Sequence, residues 1–254
     1  MYDDFSEDYD RFVNWAGRLA YEMPFLELRL AQPAASRVIL DSACGTGMHA
    51  IALAQKGYVC TGADLSPKMV ERARTNAREA GVTVRFDAAG FGELAMTFGA
   101  QSFSAVLCLG NSLPHLLSEA ELTRAMSDFA ACLHPGGLLI LQNRNFDAVV
   151  KRRERWMEPQ SYRGGGKEWL FLRFYDYEAD GLISFNIVNL RREGEQSWEQ
   201  RVMTTRLRPL LQEETVRLLG KAGFHEIACY GDMGGVPFDP ETSGNLVVVA
   251  RLAA

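Results

Sequence analysis

The sequence predicts an α/β fold whose core is a doubly wound, mostly parallel sheet of seven strands with a β-rich insertion. Two observations predict it. Over the first 145 residues, short apolar runs alternate with helical patterns, as expected when strands are buried on both faces of a parallel sheet. From residue 169 to residue 210, apolar and polar residues alternate with no helical pattern between the runs, which is typical of antiparallel strands.

Five strands and three helices are predicted before residue 145. The strands are predicted at 37–44, 58–65, 82–88, 103–109 and 138–142, and the helices at 48–56, 68–80 and 119–133. Ser66 followed by Pro67 predicts an N-cap with proline in the first helical position. Ser118 with Glu121 three residues later predicts a capping box. These local signals indicate where the second and third helices begin.

The rest of the chain predicts an insertion and then a return to the sheet. We expect a loop or short helix in the basic, glycine-rich segment 151–168, followed by antiparallel strands up to residue 210. A helix at 212–222 and strands at 224–230 and 245–252 complete the seven strands. The predicted domains are a core with an N-terminal helical cap at 1–145, a β-rich substrate-binding lid at 146–210, and a C-terminal unit at 211–254 that completes the core.

Composition narrows the classes of function. The 254 residues include 27 Lys and Arg against 32 Asp and Glu, so the basic excess typical of nucleic-acid-binding proteins is missing. No apolar run approaches the ~20 residues that span a bilayer, and the acidic N-terminus does not resemble a signal peptide. The five cysteines lie in apolar runs without zinc-site spacing. We expect a cytoplasmic protein with reduced thiols and no metal, nucleic-acid or membrane partner.

The segments DSACGTG at 41–47 and GADLS at 62–66 predict a nucleotide site. Glycines just beyond a strand let a ligand approach the backbone, and a helix that begins there directs its free N–H groups toward the ligand. Asp64, at the tip of the next strand, can accept hydrogen bonds from a ribose diol. The pattern formally matches the dinucleotide fingerprint. However, Asp41 would repel a pyrophosphate and suits a methionine ammonium, which favours S-adenosylmethionine (SAM).

With L-H-P-G-G at 133–137 following these two segments, the chain resembles class I SAM-dependent methyltransferases over residues 35–142. The resemblance implies a Rossmann-like fold that binds SAM and releases S-adenosylhomocysteine. Many members carry an aspartate near the adenine amino group where this chain has Gly90, and Phe91 is either a stacking residue or a core aromatic. The residues assigned to the cofactor are Arg18, Asp41, Ala43, Gly45, Gly47, Asp64, Leu65, Met69, Gly90, Phe91 and Leu109.

The segment CLGNSLPHL at 108–116 bears on the methyl acceptor. It lacks the [DNS]-P-P-[FYW] tetrapeptide of enzymes that methylate nucleic-acid amino groups, and the chain contains no Pro-Cys pair of the kind used in cytosine-carbon methylation. Together with the acidic charge balance, these absences argue against a nucleic-acid acceptor.

The same segment and NRNFD at 143–147 are similar to the G-N-S-x-x-H-L and R-N-[YF]-D elements of glycine and sarcosine N-methyltransferases. This resemblance implies that Asn111 lies beside the transferring methyl and that Arg144 clamps a substrate carboxylate, which suits the planar donor fork of arginine. The alternative for Arg144 is a surface arginine at a strand end. His115 is either a catalytic candidate or a capping or core histidine.

The N-terminus and the insertion supply the remaining substrate-binding candidates, Tyr9, Tyr175 and Arg208. The insertion departs from the glycine enzymes, so the substrate stays open. The first function is N-methylation of a small carboxylated amine such as glycine or sarcosine. The second is O- or C-methylation of a small metabolite, and the third is a non-catalytic SAM-binding protein or an NAD-linked oxidoreductase. The sequence does not decide between a monomer and a homo-oligomer.

Overall fold

Two sheets and the helices around them make up the computed structural model, which describes residues 10–11, 13–31 and 37–253. In chain order the elements are α1 (Trp15–Leu30), β1 (Val38–Asp41), α2 (Met48–Gln55), β2 (Val59–Asp64), α3 (Pro67–Glu79), β3 (Arg85–Ala88), α4 (Leu94–Phe98), β4 (Phe103–Cys108), α5 (Glu119–Cys132), β5 (Leu133–Arg144), α6 (Phe146–Arg152), β6 (Gln160–Gly164), β7 (Lys167–Tyr177), β8 (Ile183–Glu193), β9 (Glu199–Leu207), α7 (Gln212–Lys221), β10 (Phe224–Tyr230) and β11 (Asn245–Leu252). A short 3₁₀ helix covers Leu113–His115.

The central sheet has seven strands in the order β10, β11, β5, β4, β1, β2, β3. Strands β1 to β5 are parallel, and β11 pairs antiparallel with both β5 and β10. The predicted α/β class and the mostly parallel seven-stranded sheet are therefore confirmed. The winding reverses between β1 and β4, and ligands of open α/β sheets bind at the carboxyl edge of such a switch point.

Helices cover both faces of this sheet, which explains why its strands are apolar without alternation. Adjacent residues of β4 enter different cores, because successive side chains of a strand point to opposite faces. Val106 packs into the cluster that contains Phe129 of α5, and Leu107 packs into the cluster that contains Leu26 of α1 and Ile51 of α2.

The second sheet is antiparallel, in the order β6, β7, β8, β9. It joins the rest of the protein through α6, where Phe146 and Val149 share an apolar cluster with Tyr175, Ile183 and Leu207. A backbone hydrogen bond just after β9, from Arg208 N–H to Pro114 O at 2.8 Å, reaches the 3₁₀ helix beside β4. This sheet therefore lies next to the carboxyl edge of the central sheet.

The local helix signals are confirmed, whereas several short elements differ from the predictions. Ser66 caps α3 through Met69 N–H, and the capping box of Ser118 and Glu121 is present. Segment 151–168, where we expected a loop or short helix, contains the end of a short helix, the strand β6 and a turn at Gly165 and Gly166. Glycines with positive φ allow a tight hairpin turn here. A glycine-rich composition does not distinguish such a hairpin from a loop. Within the described residues, no helix has both the length and the apolarity needed to cross a membrane.

Candidate active site

The glycine turn after β1 leads directly into α2. Gly45 and Gly47 adopt φ values of 53° and 81°, which favour glycine. A Cβ on Gly47 would lie 2.7 Å from Phe86 Cζ and 2.9 Å from the Ala73 Cβ. Gly47 therefore permits close packing of the turn against β3 and α3, and it does not line the cavity beside the turn. We drop Gly47 from the residues assigned to the cofactor.

A cavity of about 330 Å³ opens where β1, β2 and β4 end, a volume within the range of small-molecule sites. Its lining is apolar near Leu65, Met69 and Phe91 and polar near Arg18 and Asp64. The predicted cofactor residues that the fold brings together here are Arg18, Ala43, Gly45, Asp64, Leu65, Met69, Gly90, Phe91 and Leu109. Residues from α1, from α3 and from the carboxyl ends of β1, β2, β3 and β4 thus converge on one cavity.

Asp64 lies between two backbone donors at the end of β2. Its Oδ2 accepts a hydrogen bond from Gly45 N–H at 2.8 Å, and its Oδ1 accepts one from Ser66 N–H at 2.9 Å. These bonds hold the carboxylate at the cavity wall, and a carboxylate oxygen can accept more than one hydrogen bond. The position and chemistry of Asp64 suit the hydroxyl groups of a ribose.

The far end of the cavity contains an acidic residue that the sequence reasoning missed. Glu93 lines the cavity, and its Oε2 accepts a hydrogen bond from Gly90 N–H at 3.1 Å. Phe91 is partly buried and packs edge-to-face on Phe129, with ring centroids 5.6 Å apart. Phe91 is therefore both a core aromatic and part of the cavity wall.

Asp41 lies behind the glycine turn, outside the residues that line the cavity. It is 2% exposed, and its Oδ2 has no hydrogen-bond partner among the described residues. Burial raises the pKa of Asp41 to about 6, with a further increase from Asp64, against the opposing charges of His49 and Arg18. A buried carboxylate oxygen without a donor beside the cavity fits a ligand with a cationic amino group, such as the methionine end of SAM.

A polar network that the sequence reasoning did not predict holds Arg18 in place. Glu22 Oε2 lies 3.0 Å from Arg18 Nε and 2.6 Å from His49 Nε2. Gln142 donates to Glu22 Oε1 at 2.9 Å and accepts from Arg18 Nη2 at 3.1 Å. Burial raises the pKa of Glu22, but the hydrogen bond from His49 and the charge of Arg18 outweigh it and bring the pKa to about 2. Glu22 is therefore ionised and fixes the guanidinium.

The described part of the N-terminal segment packs over the glycine turn. Asp10 Oδ1 accepts hydrogen bonds from Trp15 Nε1 at 3.1 Å and from Thr46 Oγ1 at 2.6 Å. Trp15 lines the cavity and lies edge-on to His49, with ring centroids 5.5 Å apart. Tyr9, a predicted substrate residue, lies outside the described residues.

A second cavity of about 360 Å³ adjoins the first, and Arg18, Gly110 and His115 line both. The predicted residues that line only the second cavity are Asn111, Arg144 and Tyr175. We call it the acceptor cavity. It also contains Asn143 and Arg173, which the sequence reasoning did not single out.

Asn111 and Arg144 are linked to each other at the edge of the sheet. Asn111 has a φ of 68°, and its Oδ1 accepts a hydrogen bond from the Arg144 backbone N–H at 2.9 Å. The Arg144 side chain is partly buried, and its Nη2 donates to Glu154 Oε2 at 2.8 Å. Arg144 therefore lines the cavity and forms an ion pair with Glu154.

Two further candidates have different surroundings. His115 is half-buried between the two cavities, and desolvation lowers its pKa to about 4, so the ring is neutral at pH 7. Arg208 lines a separate cavity and binds Glu214 Oε1 at 2.7 Å. We drop Arg208 from the acceptor site, because its guanidinium is paired and lines a different cavity.

Known proteins are similar to this chain in sequence. Residues 39–137 match a family model described as a methyltransferase domain. The glycine/sarcosine N-methyltransferase of Parasynechococcus marenigrum (strain WH8102) is 30% identical over 240 residues, which span 91% of this chain and 77% of that relative. The chain belongs to the class I SAM-dependent methyltransferases. The glycine turn by itself matched both a dinucleotide and SAM, and membership of this family shows that the cofactor is SAM.

Solved structures share the fold of the methyltransferase over most of its length. A SAM-dependent methyltransferase from Clostridium acetobutylicum ATCC 824 superposes with a TM-score of 0.80 at 17% identity, covering 100% of this chain and 99% of that one. A SAM-bound amino pentose methyltransferase from Micromonospora echinaspora superposes with a TM-score of 0.68 at 22% identity, covering 94% and 92% of the two chains. The methyltransferase therefore shares its overall fold with these two solved methyltransferases at low sequence identity.

Proposed function

We propose that the methyltransferase transfers the methyl group of SAM to the amine of a small carboxylated substrate of the glycine or sarcosine kind. The main support is that the acceptor cavity meets the cofactor cavity at Arg18, Gly110 and His115 and is lined by Arg144. A guanidinium presents a planar fork of donors that matches a carboxylate. The name of the glycine/sarcosine relative points to the same class of acceptor.

Asn111 is proposed to fix the loop after β4 relative to the end of β5, so that the two sides of the acceptor cavity keep a constant geometry. Its side chain binds the backbone of Arg144, and its own N–H donates to Gln142 O at 3.0 Å. The loop after β4 is thereby joined to the end of β5. Methyl transfer depends on the alignment of the amine with the methyl group, and a fixed geometry removes much of the entropic barrier.

The wall of the acceptor cavity opposite the central sheet is proposed to exclude water. Tyr175, Phe185 and Ile187 line it from the second sheet. Burial raises the pKa of Tyr175 to about 12, so its hydroxyl stays protonated and uncharged. An apolar wall strengthens the attraction between Arg144 and a substrate carboxylate, because charges interact more strongly where water is excluded.

The substrate amine has to lose a proton before it can attack. Bound SAM supplies an electrophilic sulfonium methyl, and the chain orients and desolvates the amine. The pKa of His115 is about 4, whereas the ammonium group of a free amino acid is several pKa units more basic, so proton transfer to His115 is strongly uphill. We propose that the proton leaves to solvent and that a ring nitrogen of neutral His115 accepts a hydrogen bond from the amine.

A screen with labelled SAM tests this function through matched acceptors. We expect glycine or sarcosine to be methylated, glycinamide to be a poor acceptor because it lacks the carboxylate, and glycolate to be inert because it lacks the amine. Methylation of glycolate and not of glycine would establish the O-methyltransferase alternative. Methylation of an amino sugar with no activity on any carboxylated amine would also overturn the proposal.

A further inference from the structure

The acceptor cavity extends beyond the groups that the proposed reaction uses. Arg144 accounts for the substrate carboxylate, and the border with the cofactor cavity, at Arg18, Gly110 and His115, accounts for the amine. The cavity has a volume of about 360 Å³, which is within the range of small-molecule sites and leaves room for an acceptor larger than glycine. The residues that line the rest of the cavity therefore bear on what else the acceptor carries.

Asn143 is a buried polar side chain in this remaining part of the cavity. It lies on β5, is 1% exposed, and lines the acceptor cavity but not the cofactor cavity. Neither its Nδ2 nor its Oδ1 has a hydrogen-bond partner among the described residues. Leu246 of β11 lies directly opposite and is buried, so the paired strand provides no polar side chain there. Buried carboxamides are normally hydrogen-bonded, and this one is available to a ligand in the cavity.

The chemistry of a carboxamide restricts which group can satisfy it. Nδ2 only donates, Oδ1 only accepts, and the side chain is uncharged. A carboxylate would satisfy Nδ2 and leave Oδ1 facing a negative charge, whereas an apolar group would leave both atoms without a partner. Hydroxyl and carboxamide groups both donate and accept. Asn143 therefore favours an uncharged polar group over an acidic or an apolar one.

The surroundings of Asn143 increase this selectivity. Apolar side chains of Met157, Phe185 and Ile187 line the same cavity. A hydrogen bond is stronger where water is excluded, and an unpaired polar group is more costly there. A site built to hydrogen-bond a polar substrate group consequently rejects the analogue that lacks this group.

We propose that Asn143 determines specificity and that the acceptor is an amino acid whose side chain carries an uncharged group that both donates and accepts hydrogen bonds, either a carboxamide or a hydroxyl. Arg144 takes the carboxylate, the amine lies at the border with the cofactor cavity, and the side-chain group binds Asn143. This inference rests on the proposed function, because it names the substrate class of that same site.

The first test compares acceptors of similar shape and different polarity. We expect kcat/KM for asparagine to exceed that for leucine and for aspartate by about 10- to 100-fold, the range for leaving a buried polar group without a partner. Threonine against its isostere valine tests a hydroxyl in the same way, so the two pairs distinguish the two side-chain groups. The inference is wrong if neither pair shows a preference for the polar acceptor, or if aspartate is turned over better than asparagine.

Asn143→Leu should reverse the preference, because it replaces the carboxamide with an apolar side chain of similar size. Leucine should then become a better acceptor than asparagine. The SAM dissociation constant should stay unchanged, because Asn143 does not line the cofactor cavity. The midpoint of thermal unfolding without ligand should not fall, because the substitution removes an unsatisfied buried amide.

Asn186→Leu is the matched control, because Asn186 is 8% exposed and its carboxamide is satisfied. Its Nδ2 donates to Asp176 Oδ2 at 2.9 Å, its Oδ1 accepts from Thr204 Oγ1 at 2.7 Å, and it does not line the acceptor cavity. This variant should unfold at a lower temperature and keep the preference for asparagine. If Asn143→Leu instead loses activity equally with asparagine and leucine, Asn143 has a structural role and the inference is overturned.

A binding measurement distinguishes failure of this inference from failure of the proposed function. Calorimetry on the protein saturated with S-adenosylhomocysteine reports on the acceptor cavity without any reaction. We expect asparagine to bind more tightly than leucine, and Asn143→Leu to reverse the order. Turnover of glycine with equal or no binding of asparagine and leucine would refute the role of Asn143 only. Tighter binding of asparagine with no turnover of any carboxylated amine would support that role and refute the proposed reaction.

Discussion

At the scale of single residues, Asp64 has two tasks, and replacing its carboxylate would remove both. It binds two backbone N–H groups of its own chain and faces the cofactor cavity. We expect Asp64→Ala to weaken SAM binding by about 1.5–3 kcal/mol, the range for hydrogen bonds to a charged group. Asp87→Ala is the control, because Asp87 on β3 forms only partly exposed ion pairs. Calorimetry that finds unchanged SAM affinity in folded Asp64→Ala would remove Asp64 from the site.

The buried carboxylate of Asp41 is expected to lower the free energy of unfolding of the ligand-free protein while it favours binding of SAM. Its pKa is raised from 3.8 to about 6, so the folded state without SAM is penalised once the carboxyl ionises. The penalty is fully present above pH 6 and disappears below about pH 4, where both states are protonated. Asp41→Asn should therefore stabilise the ligand-free protein at pH 7.5 by about 1–3 kcal/mol and have little effect near pH 4. Urea unfolding at the two pH values measures this difference, and a loss of stability at pH 7.5 would contradict it.

Arg144 is expected to recognise the acceptor without affecting the cofactor. Arg144→Lys keeps the charge and loses the planar fork, so kcat/KM for a carboxylated acceptor should fall about 10-fold or more. The SAM dissociation constant should be unchanged, because Arg144 lines only the acceptor cavity. Steady-state kinetics with glycine and glycinamide provide the comparison. Equal losses for both acceptors would mean that Arg144 has a structural role through its bond to Glu154.

The neutral ring of His115 allows the pH dependence of methyl transfer to be predicted. Its pKa of about 4 means that the ring does not titrate between pH 6 and pH 9, whereas the deprotonated fraction of the substrate amine rises throughout this range. We expect kcat/KM for the acceptor to rise with pH up to the pKa of the substrate amine, with no inflection near 6.5. His115→Asn should lower the rate and leave the shape of the profile unchanged. An inflection that disappears in this variant would identify His115 as a base.

At the scale of elements, the second sheet is expected to depend on the core. The division of the chain into 1–145, 146–210 and 211–254 stays a prediction. Its support is that the inner face of the second sheet packs on Phe146 and Val149 of α6 and lines a cavity shared with β5. An excised fragment 146–210 should therefore fail to unfold cooperatively by circular dichroism. A cooperative transition in that fragment would show that the sheet is an independent domain.

The helices whose starts are marked by capping residues could be predicted from the sequence. The N-cap at Ser66 and the capping box at Ser118 depend on residues within one helical turn, so the sequence alone locates these helix starts. β6 and its turn at Gly165 and Gly166 were missed, because a basic and glycine-rich run carries no hydrophobic periodicity. Strand β5 begins at Leu133, before the glycines that we expected to precede it, because pairing with β4 and β11 and not local propensity sets its length.

At the scale of the whole molecule, sequence and tertiary structure determined different parts of the site. The glycine turn, Asp64 and the apolar strands are contiguous patterns, and they were sufficient for the fold class, the cofactor and nine of the residues that line its cavity. The network of Glu22, His49 and Gln142 could not be predicted in this way. Its members are up to 120 residues apart along the chain, and only the closure of the sheet brings them together.

The acceptor site shows the same division most clearly. Arg144 and Asn111 belong to short motifs and were identified from them, whereas Arg208, chosen for its charge, lines another cavity and is paired with Glu214. Arg173 and Asn143 come from different sheets, and only the packing of the two sheets brings both to the acceptor cavity. The sequence by itself determined the reaction family, because cofactor binding depends on local backbone geometry. The tertiary structure decided which distant side chains surround the acceptor, because that depends on how two sheets pack.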